Sequence, residues 1–252
     1  MDKLGVCTSR HVRTVSLVVS AVDDFTDRVI TGSNARVWIE GAKPPIRKTE
    51  GWHVFVDLPE GEHTVYAEGG FYNRNACICK IERGSCPNIK IRLTPGRNAP
   101  LASDTACIEG TCTPHARIFV RADDRALSYK LLADAKCGES RIGIYHPDGI
   151  DIEGKLFCIC SGEGEEFVRV YRTAPEGRSE YLLTEPLTHD HAKIGTLIYP
   201  LSESCADERG MFFVPLKNVP ARETPFLCRR DTPDGDECKI TLSAGSRAKA
   251  EI

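Results

Sequence analysis

The fold is decided by residues 15–22, VSLVVSAV, in which apolar side chains recur at every second position. An alternation of period two places Val15, Leu17, Val19 and Ala21 on one face of an extended strand, whereas a helix would repeat them every three or four positions. The stretch therefore predicts a β-strand that turns one face towards a core.

The same alternation returns along the chain, in segments bounded by glycine, proline, asparagine and aspartate. In the first part of the chain it predicts three further strands, each with one apolar face. These faces are formed by Ala35, Val37 and Ile39; by Trp52, Val54, Val56 and Leu58; and by Ile89, Ile91 and Leu93. Further strands are expected at 117–121, 141–145, 155–160, 167–172, 181–184, 195–201, 211–216, 226–230 and 239–242. Residues 126–135 alone have fair helical propensity. The pattern predicts an all-β chain of two β-sandwich domains.

Proline and glycine divide the chain into domains. Residues 95–114 carry three prolines and few large apolar side chains, so they are expected to be a linker. It would join a first sandwich at 14–94 to a second all-β domain at 115–243. Residues 1–13 would be an N-terminal lead, and the small and charged residues 244–252 a mobile tail.

Composition narrows the classes of partner. The 252 residues include 33 basic and 36 acidic side chains, for a net charge of -3, and both signs are mixed along the chain. No basic stripe for nucleic acid and no apolar run of the roughly 18 residues that a membrane helix needs is present. The first residues lack the apolar core of a secretory signal. We therefore expect neither a nucleic-acid nor a membrane partner, and a cytoplasmic location unless the chain leaves as part of a larger particle.

The first domain resembles a known family. The segments Val22-Asp-Asp-Phe-Thr26, Ala35-Arg-Val-Trp-Ile39 and residues 48–65 are similar to the carboxypeptidase regulatory-like, prealbumin-type β-sandwich, over residues 14–94. The most specific part is residues 51–61, a strand that carries Phe55 and then turns at Leu58-Pro59-x-Gly61. The resemblance implies that Phe55 and Leu58 lie in the sandwich core and that none of these residues is reactive. Residues 115–252 resemble no family that we recognise.

The sequence pattern of this domain also resembles that of modules from bacterial phage-tail-like contractile injection systems. That resemblance implies a structural or adaptor protein that contacts other subunits, or further copies of itself, in a large assembly. A related pilin-type sandwich forms a lysine–asparagine cross-link from a lysine in its first strand; the strand here, residues 14–22, has none. We therefore expect no such cross-link.

Twelve cysteines need an explanation. Cys77-Ile-Cys79 and Cys158-Ile-Cys160 each place two thiols on one face of a strand, where they could bind a zinc ion with two further ligands. The candidates for those further ligands are Cys86, Cys107, Cys112, Cys137 and Cys205. Because structural zinc sites usually lie on tight knuckles, buried free cysteine is the competing interpretation, and the preferred prediction has no metal or cofactor.

Two cysteine pairs are disulfide candidates under oxidising conditions. A turn at 233–235 between two β-runs would place Cys228 opposite Cys238 in a hairpin. Cys107 and Cys112 bracket four residues and could close a small loop. A reducing cytoplasm would keep both pairs open.

Catalytic machinery is absent from the sequence as we interpret it. No nucleophile elbow or phosphate-binding glycine loop occurs. Glu165 and Glu166 are strand neighbours that would point to opposite faces. His189 and His191 could share a face and bind a metal, which leaves a metal-dependent enzyme as one alternative. A carbohydrate- or ligand-binding module is another, with stacking residues at Trp38, Trp52, Phe71 and Tyr72. The favoured hypothesis is a non-enzymatic protein that acts through protein–protein contacts.

Overall fold

The structure, a computed structural model, describes residues 13–147, 150–162, 164–175, 177, 179–231 and 237–252. These residues form β-strands and a single 3₁₀ turn, so the predicted all-β class is confirmed. The chain divides into two compact units. Unit 1 comprises 29–70, 74–93 and the described part of 1–22, and unit 2 comprises 23–28, 71–73 and 94–252.

Unit 1 is built from seven strands: β1 Val15–Asp23, β2 Arg36–Ile39, β3 Ile46–Arg47, β4 Trp52–Val56, β5 Gly61–Gly69, β6 Tyr72–Ile81 and β7 Asn88–Leu93. They form one sheet in the order β3-β4-β1-β7 and another in the order β2-β5-β6. Apart from β3, which is exposed, the strands bury apolar side chains, and the two sheets enclose an apolar core. The core includes Leu17, Val19, Ala21, Val37, Ile39, Phe55, Val65, Ala67, Ile91 and Leu93.

Two faces in unit 1 differ from the prediction. Val15 is 42% exposed, because the register of β1 against β4 shifts between Val15 and Leu17. In β4 the buried residues are His53 and Phe55, whereas Trp52 is 48% exposed. The predicted period is right but its phase is wrong. Cross-strand pairing with the core-facing strand β1 sets that phase, since Phe55 lies opposite Leu17.

Unit 2 contains thirteen strands along the described chain: β8 Ala106–Thr111, β9 Arg117–Ala122, β10 Tyr129–Leu131, β11 Arg141–Tyr145, β12 Leu156–Ser161, β13 Gly164–Thr173, β14 Glu180–Leu183, β15 Leu197–Pro200, β16 Ser202–Cys205, β17 Met211–Leu216, β18 Thr224–Arg230, β19 Glu237–Leu242 and β20 Arg247–Glu251. Strands β8, β9 and β16 to β20 form two sheets, in the orders β16-β9-β18-β19 and β17-β8-β20. Between β9 and β16 the chain forms a closed six-stranded barrel, β10-β11-β14-β13-β12-β15. Unit 2 is thus a sandwich with a barrel inserted into it.

The barrel has its own core. Its interior is filled by one face of each strand, including Ile144, Phe157, Ile159, Val170 and Ile198, all fully buried. Because inward and outward side chains alternate, Cys158 and Cys160 lie on the outer face of β12. Yet Cys158 is also fully buried, so β12 is covered on both faces.

Two predicted segments without strands, the linker and the tail, contain strands in the structure. Residues 106–111 of the predicted linker form β8, which pairs with β17 and, in parallel, with β20. Residues 247–251 of the predicted tail are β20 itself. Short, small-residue strands escape a search for bulky alternation, and Gly110 has no side chain because a Cβ there would lie 1.8 Å from the Ala250 carbonyl oxygen.

The helical propensity of residues 126–135 does not produce an α-helix there. Asp124 caps only one turn, Arg125–Leu127, by accepting a hydrogen bond from the Ala126 backbone at 2.9 Å. The chain then enters β10, where tertiary pairing with β11 and β15 overrides the local propensity.

Candidate functional site

The strongest cluster of reactive side chains lies on the outer face of the barrel. Cys158 Sγ is 3.5 Å from Cys160 Sγ, and Cys160 Sγ is 3.5 Å from Glu165 Oε1. Potential ligand atoms of all three residues lie within 4.8 Å of one another. Local folding explains the arrangement, because the antiparallel register of β12 and β13 places Glu165 directly opposite Cys160.

Two arginines hold the carboxylate of Glu165. Arg121 Nη2 donates to Oε1, and Arg229 Nη1 donates to Oε2 at 3.0 Å. Each guanidinium also lies over an aromatic ring: Arg121 over Tyr199 at 5.0 Å and Arg229 over Phe167 at 4.2 Å. These contacts fix the carboxylate beside the thiols.

The two thiols have different acidities. The hydrogen bond to Cys160, and then burial, raises the pKa of Cys158. The same hydrogen bond, opposed by burial and assisted by the Arg121 guanidinium, lowers the pKa of Cys160. Of the two thiols, Cys160 is therefore the one that loses its proton more readily.

The second Cys-Ile-Cys segment has a different environment. In β6, Cys79 is buried and Ile78 is 72% exposed, so the thiols face the sandwich core. Burial, followed by the neighbouring Cys79, raises the pKa of Cys77 to about 11. Within the described residues, the only three-ligand cluster is the one at Cys158, Cys160 and Glu165, so none completes a zinc site at β6.

The predicted additional cysteine ligands lie elsewhere. Cys137 donates to the Thr188 carbonyl at 3.3 Å, and Cys205 to the His115 carbonyl at 3.5 Å. The third potential ligand beside Cys158 and Cys160 is instead the carboxylate of Glu165, for which the sequence predicted no role.

The hairpin predicted for Cys228 and Cys238 is present. Strands β18 and β19 are antiparallel and place the two residues directly opposite each other. The predicted turn at 233–235 lies outside the described residues. Both thiols are free, and burial, followed by Cys238, raises the pKa of Cys228 to about 12. A disulfide here stays a prediction for oxidising conditions.

The other disulfide candidate is contradicted by the fold. Cys107 lies near the start of β8 and Cys112 just after its end, so extended chain separates them. Five residues of strand span roughly 16 Å, far beyond the reach of a disulfide. Cys112 packs instead against the core cluster that contains Cys228.

The two histidines of the predicted pair lie in the loop before β15, beside Glu166 of β13. His191 is 1% exposed, and its Nε2 lies 2.8 Å from Glu166 Oε2. The other carboxylate oxygen accepts hydrogen bonds from the Thr188 backbone at 2.6 Å and its hydroxyl at 2.9 Å. Burial opposes the charge of Glu166, but the hydrogen bonds from Thr188 and His191 outweigh it and lower its pKa.

The two histidines differ in their exposure to solvent. His189 is half-exposed, with its Nδ1 3.7 Å from Glu166, whereas His191 is sealed. Ser161 Oγ lies 3.1 Å from His191 Nδ1, which gives a serine–histidine–glutamate line, but no substrate can reach a ring buried to this extent. The expected opposite orientation of Glu165 and Glu166 is confirmed by their separate partners.

The aromatic candidates do not form one platform. Trp38 stacks on Tyr66, with ring centroids 5.4 Å apart, under the guanidinium of Arg74. Trp52 belongs to the other sheet of unit 1. Tyr72 donates to Asp23 at 3.1 Å, and burial, followed by that carboxylate, raises its pKa to about 12.

Unit 2 contains one large cleft among its described residues, with a volume of about 800 Å³. Tyr129 and His146, with ring centroids 5.7 Å apart, line the cleft, and the buried side chains of Phe157, Leu216 and Phe226 lie behind its surface. Its size and lining are those of a small-molecule pocket.

An exposed sheet edge is the third feature of interest. Strand β6 ends the sheet β2-β5-β6 and is ten residues long. The side chain of Asn75 bonds to the Arg92 carbonyl at 2.8 Å, but beyond Asn75 no other described strand pairs with the outer edge of β6. Ile78, in the middle of that open stretch, projects into solvent.

None of the described residues forms a helix of the length and apolarity needed to cross a membrane. No protein-family model matches the chain, and no curated protein matches it.

Among solved structures the chain is similar to the TIE protein of Bacillus anthracis, with 11% identity and a TM-score of 0.28 over 93% of this chain and 49% of that one. It is also similar to a DUF3823 family protein from Bacteroides ovatus, with 12% identity and a TM-score of 0.26 over 92% of this chain and 96% of that one. The major pilin subunit of Bacillus cereus matches with 12% identity and a TM-score of 0.26, over 92% and 69%. The chain thus spans about half the length of the TIE protein.

Proposed function

We propose that this chain is a non-enzymatic structural protein that assembles with other protein subunits through the open edge of β6. The single observation that carries the proposal is this ten-residue edge strand with Ile78 72% exposed in its unpaired part. An open edge offers backbone donors and acceptors to an extended segment of a neighbour, and alternate side-chain pockets give such pairing its specificity.

The charges around Ile78 suit a docking strand that must stay soluble before assembly. Arg74 is held over Trp38 and Tyr66, and Lys80 pairs with Glu82 at 2.9 Å. Charged residues on both sides of an exposed apolar residue limit uncontrolled edge-to-edge pairing. A specific partner would cover Ile78 and leave these ion pairs at the rim.

The experiment compares two exposed isoleucines. Ile78→Lys adds a charge at the edge of β6, and Ile194→Lys adds the same charge at a residue that is 91% exposed in unit 2. We expect only Ile78→Lys to lower self-association in sedimentation velocity, or to remove the tagged chain from high-mass particles of the cell that produces it. Equal behaviour of both variants and the unsubstituted chain would reject β6 as the assembly surface.

The finer form of the proposal is a subunit of a phage-tail-like contractile injection particle, made in the cytoplasm and exported with it. The resemblance of residues 14–94 is its support. Neighbouring genes for sheath, tube and baseplate proteins would favour it, and a neighbourhood without them would count against it.

A ligand-binding module is a second candidate, and the cleft of unit 2 favours it. A planar aromatic ligand would stack against Tyr129 and His146. Ala126→Trp places a bulky ring at an exposed position on the cleft lining. It should abolish binding of an environment-sensitive aromatic dye if the cleft is accessible, and unchanged dye binding would reject this role.

A further inference from the structure

We propose that Cys158, Cys160 and Glu165 form a binding site for one soft divalent cation, with zinc as the natural occupant. This site is separate from the edge strand β6 and does not depend on the function proposed above. Two sulfurs and one carboxylate oxygen converge there from adjacent strands of the barrel.

Two of the three separations between ligand atoms match those that a tetrahedral ion requires, and the third lies within 4.8 Å. Two sulfurs bound to zinc at about 2.3 Å lie roughly 3.8 Å apart, and a bound sulfur and carboxylate oxygen lie roughly 3.5 Å apart. The observed separations are 3.5 Å for Cys158 to Cys160 and 3.5 Å for Cys160 to Glu165. Binding therefore needs only small rotations of three side chains whose backbone is held in a closed barrel.

The charge of the site also suits a divalent cation. The thiols of Cys158 and Cys160 release their protons to solvent when a metal binds, and one divalent ion replaces them without changing the net charge of the cluster. The net charge next to Arg121 and Arg229 is therefore the same in the metal-bound site as in the protonated, metal-free site. They stay bonded to Glu165 and orient it, as residues behind metal ligands commonly do.

The walls of the site favour a soft ion over magnesium or calcium. Phe167 and Tyr199 lie opposite Cys158 on the neighbouring strands, so aromatic side chains flank the site. Two sulfur donors select zinc or cadmium, whereas the hard ions require mostly oxygen ligands. Cys160 and Glu165 are partly exposed, which leaves the fourth position open to water.

The test uses the full chain, reduced and stripped of metal. Cadmium is the spectroscopic probe because its thiolate complexes absorb by charge transfer, and zinc is measured by equilibrium dialysis. We expect one equivalent of each ion to bind with a sulfur-to-cadmium band. Cys160→Ser should abolish the band and weaken zinc binding at least tenfold, and Glu165→Gln should weaken zinc binding about tenfold with the band retained.

The double substitution Cys77→Ser and Cys79→Ser is the matched control, since it removes the same tripeptide pattern from β6. It should leave the stoichiometry and the band unchanged. Because Cys158 is fully buried, Cys160→Ser and Glu165→Gln carry the test, with circular dichroism to verify folding. Loss of the band in the β6 double variant, its persistence in Cys160→Ser, or the absence of a thiolate band in the unsubstituted chain would each overturn the proposal.

Discussion

The chain contains the tripeptide Cys-Ile-Cys twice, and the two copies have opposite environments. In β6 the isoleucine faces solvent and the cysteines face a sandwich core, at the edge of a sheet. In β12 the isoleucine lies in the barrel core, and the cysteines lie on the outer face of the barrel beside a carboxylate, with Cys158 buried and Cys160 partly exposed. Identical local sequence therefore lies at an open sheet edge in one place and beside a carboxylate in the other, because the neighbouring strands differ.

The largest expected difference concerns the isoleucines. Ile159→Ala should destabilise unit 2 by about 2–5 kcal/mol, since it removes a fully buried side chain from a closed core, whereas Ile78→Ala should change stability by less than about 0.5 kcal/mol. Both tryptophans, Trp38 and Trp52, lie in unit 1, so their emission follows that unit, and circular dichroism follows the whole chain. The stability of both variants is measured by urea titration, followed by tryptophan emission and by circular dichroism. A similar loss from both variants would contradict the two environments.

The next largest difference is expected between an ion pair of unit 2 and an ion pair of unit 1. Glu203 of β16 accepts hydrogen bonds from Arg169 of β13 at 2.8 and 2.9 Å and from Arg117 at 3.0 Å. We expect Glu203→Gln to cost about 2–3 kcal/mol at neutral pH. The exposed Arg36–Glu68 pair of unit 1 is the control, and Glu68→Gln should cost less than about 0.5 kcal/mol.

The same carboxylate predicts an acid-sensitive unit 2. Burial opposes the charge on Glu203, but Arg169 and Arg117 outweigh it and lower its pKa. A lowered pKa contributes stability above the ordinary glutamate value, and that stability is lost as the pH falls through the folded-state pKa. Urea midpoints measured by circular dichroism should therefore fall on acidification in the unsubstituted chain, and fall less in Glu203→Gln. Parallel pH profiles would contradict this assignment.

Cross-strand cysteines should oxidise before either along-strand pair. Opposed residues in antiparallel strands have Cα atoms about 4.5–5.5 Å apart, within the range of a disulfide, whereas residues i and i+2 of one strand lie at its upper limit. Mild oxidation should therefore join Cys228 to Cys238 and stabilise unit 2 by about 2–3 kcal/mol. Thiol counting should show two fewer thiols, and none fewer in Cys228→Ser. The prediction would be contradicted if the thiols of Cys158 and Cys160 were oxidised first.

The smallest expected effect is a difference in thiol reactivity. In metal-free, reduced chain at neutral pH, Cys160 should react with iodoacetamide at least about tenfold faster than Cys77. Its pKa is lowered by the hydrogen bond from Cys158, whereas burial raises that of Cys77 to about 11. Mass spectrometry of timed digests measures both rates. Equal rates would mean that the Cys160 sulfur carries no additional negative charge.

The sequence by itself determined the all-β class and most strand positions, because alternation of period two is a local property of the chain. It also determined the antiparallel pairing of Cys228 with Cys238 and the opposite orientation of Glu165 and Glu166, which follow from hairpin and strand geometry. It did not determine the phase of β4, the strands β8 and β20, or the barrel inserted between β9 and β16. Each of these depends on which strands pair across long separations.

The residues of the candidate site are likewise brought together by pairing between strands that are distant in sequence. The two thiols of Cys158 and Cys160 could be recognised from their spacing, but Glu165 becomes their neighbour only through the register of β12 with β13. Arg121 and Arg229 reach the cluster from β9 and β18, more than thirty residues away on either side. Local sequence fixes which side chains alternate, and only tertiary pairing fixes what each face meets, since the free energy of packing and of charge burial depends on distant partners.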